Sequence, residues 1–271
     1  MRRRLHLPVV LITMTIGVFA LGSCGGRGPT SPSEITPSTP APTPTPAPTP
    51  TPPSITFLFD DGVLPDNRIG IEDGINLGYA FLQAQFQWQL AQSITVRVTA
   101  SSAFPPASAG SNGVTVNTGN SNWTTSPDPN RRKIMVHELF HVLQFHNGWV
   151  FSPTWLVEGS AEFVGYRGAL IDTGLLSAAQ SRGCHIWNIS FWSPPMGPLQ
   201  TYESTIGDGP TYSLFYLAVE RLLGERGVAP LARVTNFQSS FGVSQAEFYG
   251  AFEQYRTTWQ RPSRYECFGF R

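Results

Sequence analysis

Apolar positions recur at two different spacings along this chain. Between residues 67 and 92, Ile71, Ile75, Leu77, Leu82, Phe86 and Leu90 fall near helical intervals, which predicts a helix. Ile94-Thr95-Val96-Arg97-Val98-Thr99 alternates apolar and polar and predicts a strand. Pro105, Pro106 and the Ser, Gly and Ala residues around them predict a loop. Val114-Thr115-Val116 predicts a second short strand, and residues 118–130 predict turns. Helix is predicted again over about 130–145 and 154–167. Residues 181–209, rich in Gly, Pro and Trp, read as irregular. Pro210 opens a helix that runs to Leu223, with Gly224 as its stop. Ser244 and Glu247 make a capping box for a last helix to about Trp259. The order helix, strands, then mostly helix predicts an α+β domain: a small N-terminal mixed sheet plus the helix at about 130–145, then a mainly helical C-terminal lobe.

The ends of the chain are different material. Arg2, Arg3 and Arg4 precede an apolar run from Leu5 to about Leu21, followed by Leu21-Gly22-Ser23-Cys24. A basic head, an apolar middle and small residues before a cut site are the marks of a secretory signal over residues 1–23. The run is marginal in length for a membrane span and holds Pro8 and Gly17. Its ending resembles the bacterial lipobox. That resemblance implies an exported protein, lipidated on Cys24 and held on a membrane facing the periplasm or the cell exterior. The alternative is an ordinary signal peptide with a chance Cys. Residues 24–54 follow as a linker; 11 of the 27 residues from 28 to 54 are Pro. With little to bury, such a segment favours extended polyproline II, as a spacer or as filler without a length requirement. Residues 55–271 remain as one domain and hold all seven Trp.

Formal charge is zero for the whole chain and −3 once Arg2, Arg3 and Arg4 are removed, which argues against nucleic acid as a partner. The single Lys, Lys133, stands beside 17 Arg and reads as compositional bias, not function. Cys184 and Cys267 are either a disulfide of an exported protein or two buried thiols.

The chemistry concentrates in Ile134-Met135-Val136-His137-Glu138-Leu139-Phe140-His141-Val142-Leu143. Free of Gly and Pro and apolar around its polar trio, this stretch predicts a buried helix. Residues four apart share a helix face, so His137 and His141 can grip one small ion between their imidazoles. Glu138 points at the same site without being forced onto the ion, and is placed to take a proton from a metal-activated water. Two His leave a catalytic zinc one protein ligand short. Pro153-Thr154-Trp155-Leu156-Val157-Glu158-Gly159-Ser160-Ala161-Glu162-Phe163 offers two acids four apart in an otherwise apolar stretch. Buried carboxylates are rare without a cation or partner.

Together, H-E-x-x-H followed by W-L-x-E-G-x-A-E resembles the gluzincin metallopeptidases, the clan of thermolysin and the zinc aminopeptidases. The likeness covers residues 130–165 and implies a zincin-like fold, one zinc ion and peptide-bond hydrolysis. By that resemblance Glu158 is the third metal ligand and Glu162 orients a ligand histidine. The segment Gly209–Leu217 is similar to the following helix of these peptidases, where some members use a Tyr to stabilise the oxyanion; Tyr212 matches best, with Tyr216 one turn on. Members also place a peptide-pairing edge strand upstream of the metal helix, which here falls on the strand at 113–118. Sixteen residues separate His141 from Glu158, fewer than in the large aminopeptidases, and their exopeptidase signature is missing. Aminopeptidase activity is therefore not implied. His146 and His185 are not expected as ligands.

The expected function is hydrolysis of a peptide or protein substrate, with zinc on His137, His141 and Glu158, Glu138 as general base and Tyr212 at the oxyanion. Two rivals stand beside it. One is an inactive surface module of the same fold that binds a partner or glycan. The other is a zinc hydrolase acting on peptidoglycan cross-links or esters.

Overall fold

Ile94, Val96 and Val98 are buried while Arg97 between them is exposed, so the predicted strand has one covered face. In the computed structural model, which describes residues 53–149, 153–193, 195–206 and 210–260, this strand (β2, Ile94–Thr99) is central in a four-stranded sheet. The leader, Cys24, nearly all of the linker and Cys267 lie outside the described residues. Among the described residues, no helix is long and apolar enough to cross a membrane.

The sheet order is β1 (Ile55–Phe59), β2, β4 (Gly113–Asn117), β3 (Ala107–Gly110). β1, β2 and β4 run parallel, with Val96 beside Val114 and Val98 beside Val116. β3 runs antiparallel to β4 and forms the outer edge. Two expectations change here. The strand at 113–118 is interior, not the edge, and the stretch read as a loop around Pro106 supplies the edge strand instead. Ala107-Ser108-Ala109-Gly110 carries no β-branched or aromatic residue, so nothing in its composition announces a strand. The pairing with β4 makes it one.

Helix α1 (Pro65–Phe86) ends earlier than its pattern suggests, at Gln87 in the left-handed region (φ 53°). A short helix, α2 (Ser121–Thr124), interrupts the turn-rich stretch. Helix α3 (Asp128–His146) follows and carries His137, Glu138 and His141; α4 (Thr154–Tyr166) packs across it and runs on into a π-turn, Arg167–Ile171. The stretch expected to be irregular holds a 13-residue helix, α5 (Ala178–Ser190), opened by a capping box between Ser177 and Gln180. Its Ser, Gly, Cys, His, Trp and Asn are weak helix formers, and packing on α6 (Thr211–Leu223) overrides that. α6 begins and ends as expected, α7 (Phe237–Phe241) is a single turn, and α8 (Gln245–Arg256) carries the expected Ser244–Glu247 capping box. The architecture is thus α+β: a small mixed sheet and a mostly helical remainder.

Two glycines set how close the site-bearing helices come. A Cβ at Gly159 would lie 2.6 Å from the Phe215 carbonyl oxygen of α6, and one at Gly165 would lie 2.9 Å from the Lys133 carbonyl oxygen of α3. Only Gly permits both approaches, so α4 is wedged between α3 and α6 at backbone contact. The start of α4 is pinned by Trp155, fully buried, which stacks on Phe248 and donates to the Tyr249 hydroxyl at 3.0 Å.

Candidate metal centre

His137 and His141 lie one turn apart on α3, on the face turned to α4. Their Nε2 atoms are 3.1 Å apart. Glu158, in the second turn of α4, brings Oε2 to 3.6 Å from His137 Nε2 and 3.5 Å from His141 Nε2. A tetrahedral ion with bonds of ~2.0–2.1 Å spaces its ligand atoms by roughly 3.3–3.4 Å. The three donor atoms already stand close to that spacing. Among the described residues, His137, His141 and Glu158 form a group able to hold a metal ion.

Each histidine is turned by a partner on its other nitrogen. Glu162, one turn beyond Glu158, accepts from His137 Nδ1 at 3.1 Å. An ionised carboxylate only accepts, so Nδ1 carries the hydrogen and Nε2 is the nitrogen turned to His141 and Glu158. Lys133, one turn before His137, donates to both Glu162 oxygens at 2.9 and 3.0 Å. Gln144 does the matching work for His141: its Oε1 lies 2.6 Å from His141 Nδ1, and its Nε2 donates to the Val157 carbonyl at 3.1 Å. Gln144 thereby ties the second histidine to the residue before Glu158. The one Lys of the chain is nearly buried and paired with Glu162. Lys133 and Gln144 were missed, although their helical offsets of −4 from His137 and +3 from His141 put both on the metal face.

The electrostatics follow from this packing. Burial works against the His137 imidazolium, but hydrogen bonds to Glu158 and Glu162 outweigh it and raise its pKa to about 9. A metal ion must displace that proton to bind. Burial pushes the Glu158 carboxyl up, and the two histidines pull it well below the usual carboxylate range. Burial likewise opposes ionisation of Glu162, and Lys133, then His137, bring it down to about 2. Glu138 moves the other way: burial raises it, against the pull of His137 and His141. Burial, then the neighbouring carboxylates led by Glu158, raise the Tyr212 hydroxyl, so it keeps its proton and can donate.

The three donors, Glu138 and Tyr212 line one cleft of about 750 Å³. Ser108 and Ala109 of the edge strand β3 line it too, with Phe104, Phe145 and Ile206. Those three apolar side chains are 78, 56 and 37 % exposed. Phe145 sits one turn beyond His141, on the same face of α3 as both histidines. Of the two tyrosines left open by the sequence, Tyr212 faces the cleft and lies 6.0 Å from the His137 ring, centroid to centroid. Tyr216 is buried and bonded to Ser181. His146 bonds to the Ser111 carbonyl, and His185 is buried against Ser213 and Tyr216; neither belongs to the donor group.

No protein-family model matches the sequence, and no curated protein matches it.

Proposed function

We propose that this chain is a zinc-dependent hydrolase of the gluzincin type that cleaves peptide bonds. The observation that carries the reading is the convergence of His137 Nε2, His141 Nε2 and Glu158 Oε2 within 3.1–3.6 Å, with the other nitrogen of each histidine already engaged. Two imidazoles and one carboxylate suit zinc and leave a position open for substrate. The fold around it, a small sheet whose edge strand borders the cleft beneath a histidine-bearing helix, agrees with a zincin-like architecture.

When bound, zinc supplies Lewis acidity and makes water a nucleophile near neutral pH. The chain's own residues do the rest. Glu138, lifted by burial and facing the cleft, takes the proton of the attacking water and passes it to the leaving nitrogen. Tyr212, held protonated, donates a hydrogen bond to the carbonyl oxygen as negative charge develops there. The apolar side chains at the mouth exclude water and seat the substrate's flanking residues. We also assign the chain to an extracytoplasmic membrane surface, on Leu21-Gly22-Ser23-Cys24 and the Pro-rich linker.

The test is Glu138→Gln. It is expected to retain zinc and fold while cleavage of an unstructured protein substrate falls by about 10²–10⁴-fold. Undiminished cleavage, or cleavage insensitive to a chelator, would overturn the reading.

A further inference from the structure

Lys133 and His137 stand one turn apart on α3; Glu158 and Glu162 stand one turn apart on α4. The two pairs interlock. His137 reaches both acids, at 3.6 and 3.1 Å, and Lys133 holds both oxygens of Glu162. Side-chain exposure is 12 % for Lys133 and 7 % for Glu162, so this is a desolvated pair. Lys133 Nζ also lies 5.3 Å from the Tyr166 ring centroid, which confines the ammonium from another direction. The Gly165 approach brings α4 against the Lys133 carbonyl, with the lysine's Cδ beside it, so the base of the side chain is held between the two helices.

A buried pair of this kind adds little net stability against an apolar replacement. Its consequence here is directional. Glu162 Oε2 is shared between Lys133 and His137, so the lysine fixes which way the carboxylate faces and keeps it an acceptor. An acceptor there forces the hydrogen onto His137 Nδ1 and leaves Nε2 to the metal.

We propose that Lys133 is a positioning residue of the metal centre, acting through Glu162 to orient His137 and raise the affinity of the site for zinc. The proposal rests on the metal reading of the His137, His141 and Glu158 group. In that role Lys133 touches neither metal nor substrate.

The experiment measures zinc affinity of the full chain by competition with a chromophoric chelator, in the wild type and in K133M, K133R, E162Q and K133M/E162Q. Thermal unfolding is recorded for each. K133M is expected to weaken zinc binding by about 10–100-fold, the usual effect of losing an outer-shell partner, while K133R, which keeps the charge, recovers most of it. In the E162Q background, where no carboxylate is left to orient, adding K133M is expected to change affinity less than about threefold. Should K133M alone not fold, K133M/E162Q, which removes both charges of the pair, is compared with E162Q, in which the lysine keeps an amide oxygen as acceptor, and still gives the comparison. Equal zinc affinity in wild type and K133M, or a tenfold loss on adding K133M to E162Q, overturns the proposal and leaves the metal reading intact. A wild type that binds no zinc overturns both. A lower melting temperature with unchanged affinity marks Lys133 as structural only and overturns it too.

Discussion

His137 and His141 hold their Nε2 atoms 3.1 Å apart and 3.6 and 3.5 Å from the same oxygen of Glu158. Two helices build this triangle: α3 gives both nitrogens, α4 gives the oxygen, and backbone contact at Gly159 and Gly165 fixes α4 against its neighbours. The donor spacing is therefore a property of helix packing as much as of the motif itself.

Gly159 follows Glu158 directly, and any Cβ there meets the Phe215 carbonyl oxygen at 2.6 Å. Gly159→Ala must push α4 from α6. It is expected to cost about 1–3 kcal/mol in denaturant unfolding. Zinc affinity should fall with it, because Glu158 moves with the helix. Wild-type stability and affinity together would show that the close approach does not set the site.

The exposed Phe145 lies one turn from His141 in the cleft. Phe145→Ala is expected to lower kcat/KM about tenfold on peptides with a bulky apolar residue beside the scissile bond, and to leave peptides with small residues there almost unchanged. Steady-state kinetics on a paired peptide set reads this out; equal losses on both would remove Phe145 from substrate recognition.

His185 is buried, with Nδ1 3.0 Å from Ser213 Oγ and its ring stacked on Tyr216. Burial lowers its pKa from 6.5 to about 3. The folded form therefore stays neutral while the unfolded chain takes up a proton below 6.5, and stability falls as pH drops from 6.5 towards 3. The contribution amounts to about 2–3 kcal/mol by pH 4.5. His185→Gln is expected to lose less stability than wild type between pH 7 and 4.5. An identical pH dependence in chemical denaturation would show that His185 is not the responsible group.

The sequence made His137 and His141 legible as a donor pair because helical spacing converts directly into side-chain direction, and the resemblance to the gluzincins pointed to Glu158. His137, His141 and the four-residue offset of Glu158 and Glu162 needed no tertiary information. The same rule reached α6, since Pro210 and Gly224 bracket a stretch free of Gly and Pro with the apolar run Leu214–Val219 at its centre. It did not reach β3, which has no strand-like composition and exists through pairing with β4. Nor did it reach α5, whose residues favour helix only once packed on α6. Lys133 was hidden for a different reason. The last of three consecutive basic residues, after Arg131 and Arg132, looks solvated, and only the crossing of α4 buries it against Glu162.

Zinc content tests the central claim most directly. The full chain, loaded with zinc and dialysed against metal-free buffer, is expected to retain one ion per molecule by elemental analysis. His141→Ala and Glu158→Ala are expected to lose it while keeping the helical signal of the fold. A wild type that retains no zinc, or a His141→Ala variant that keeps a full equivalent, would contradict the account.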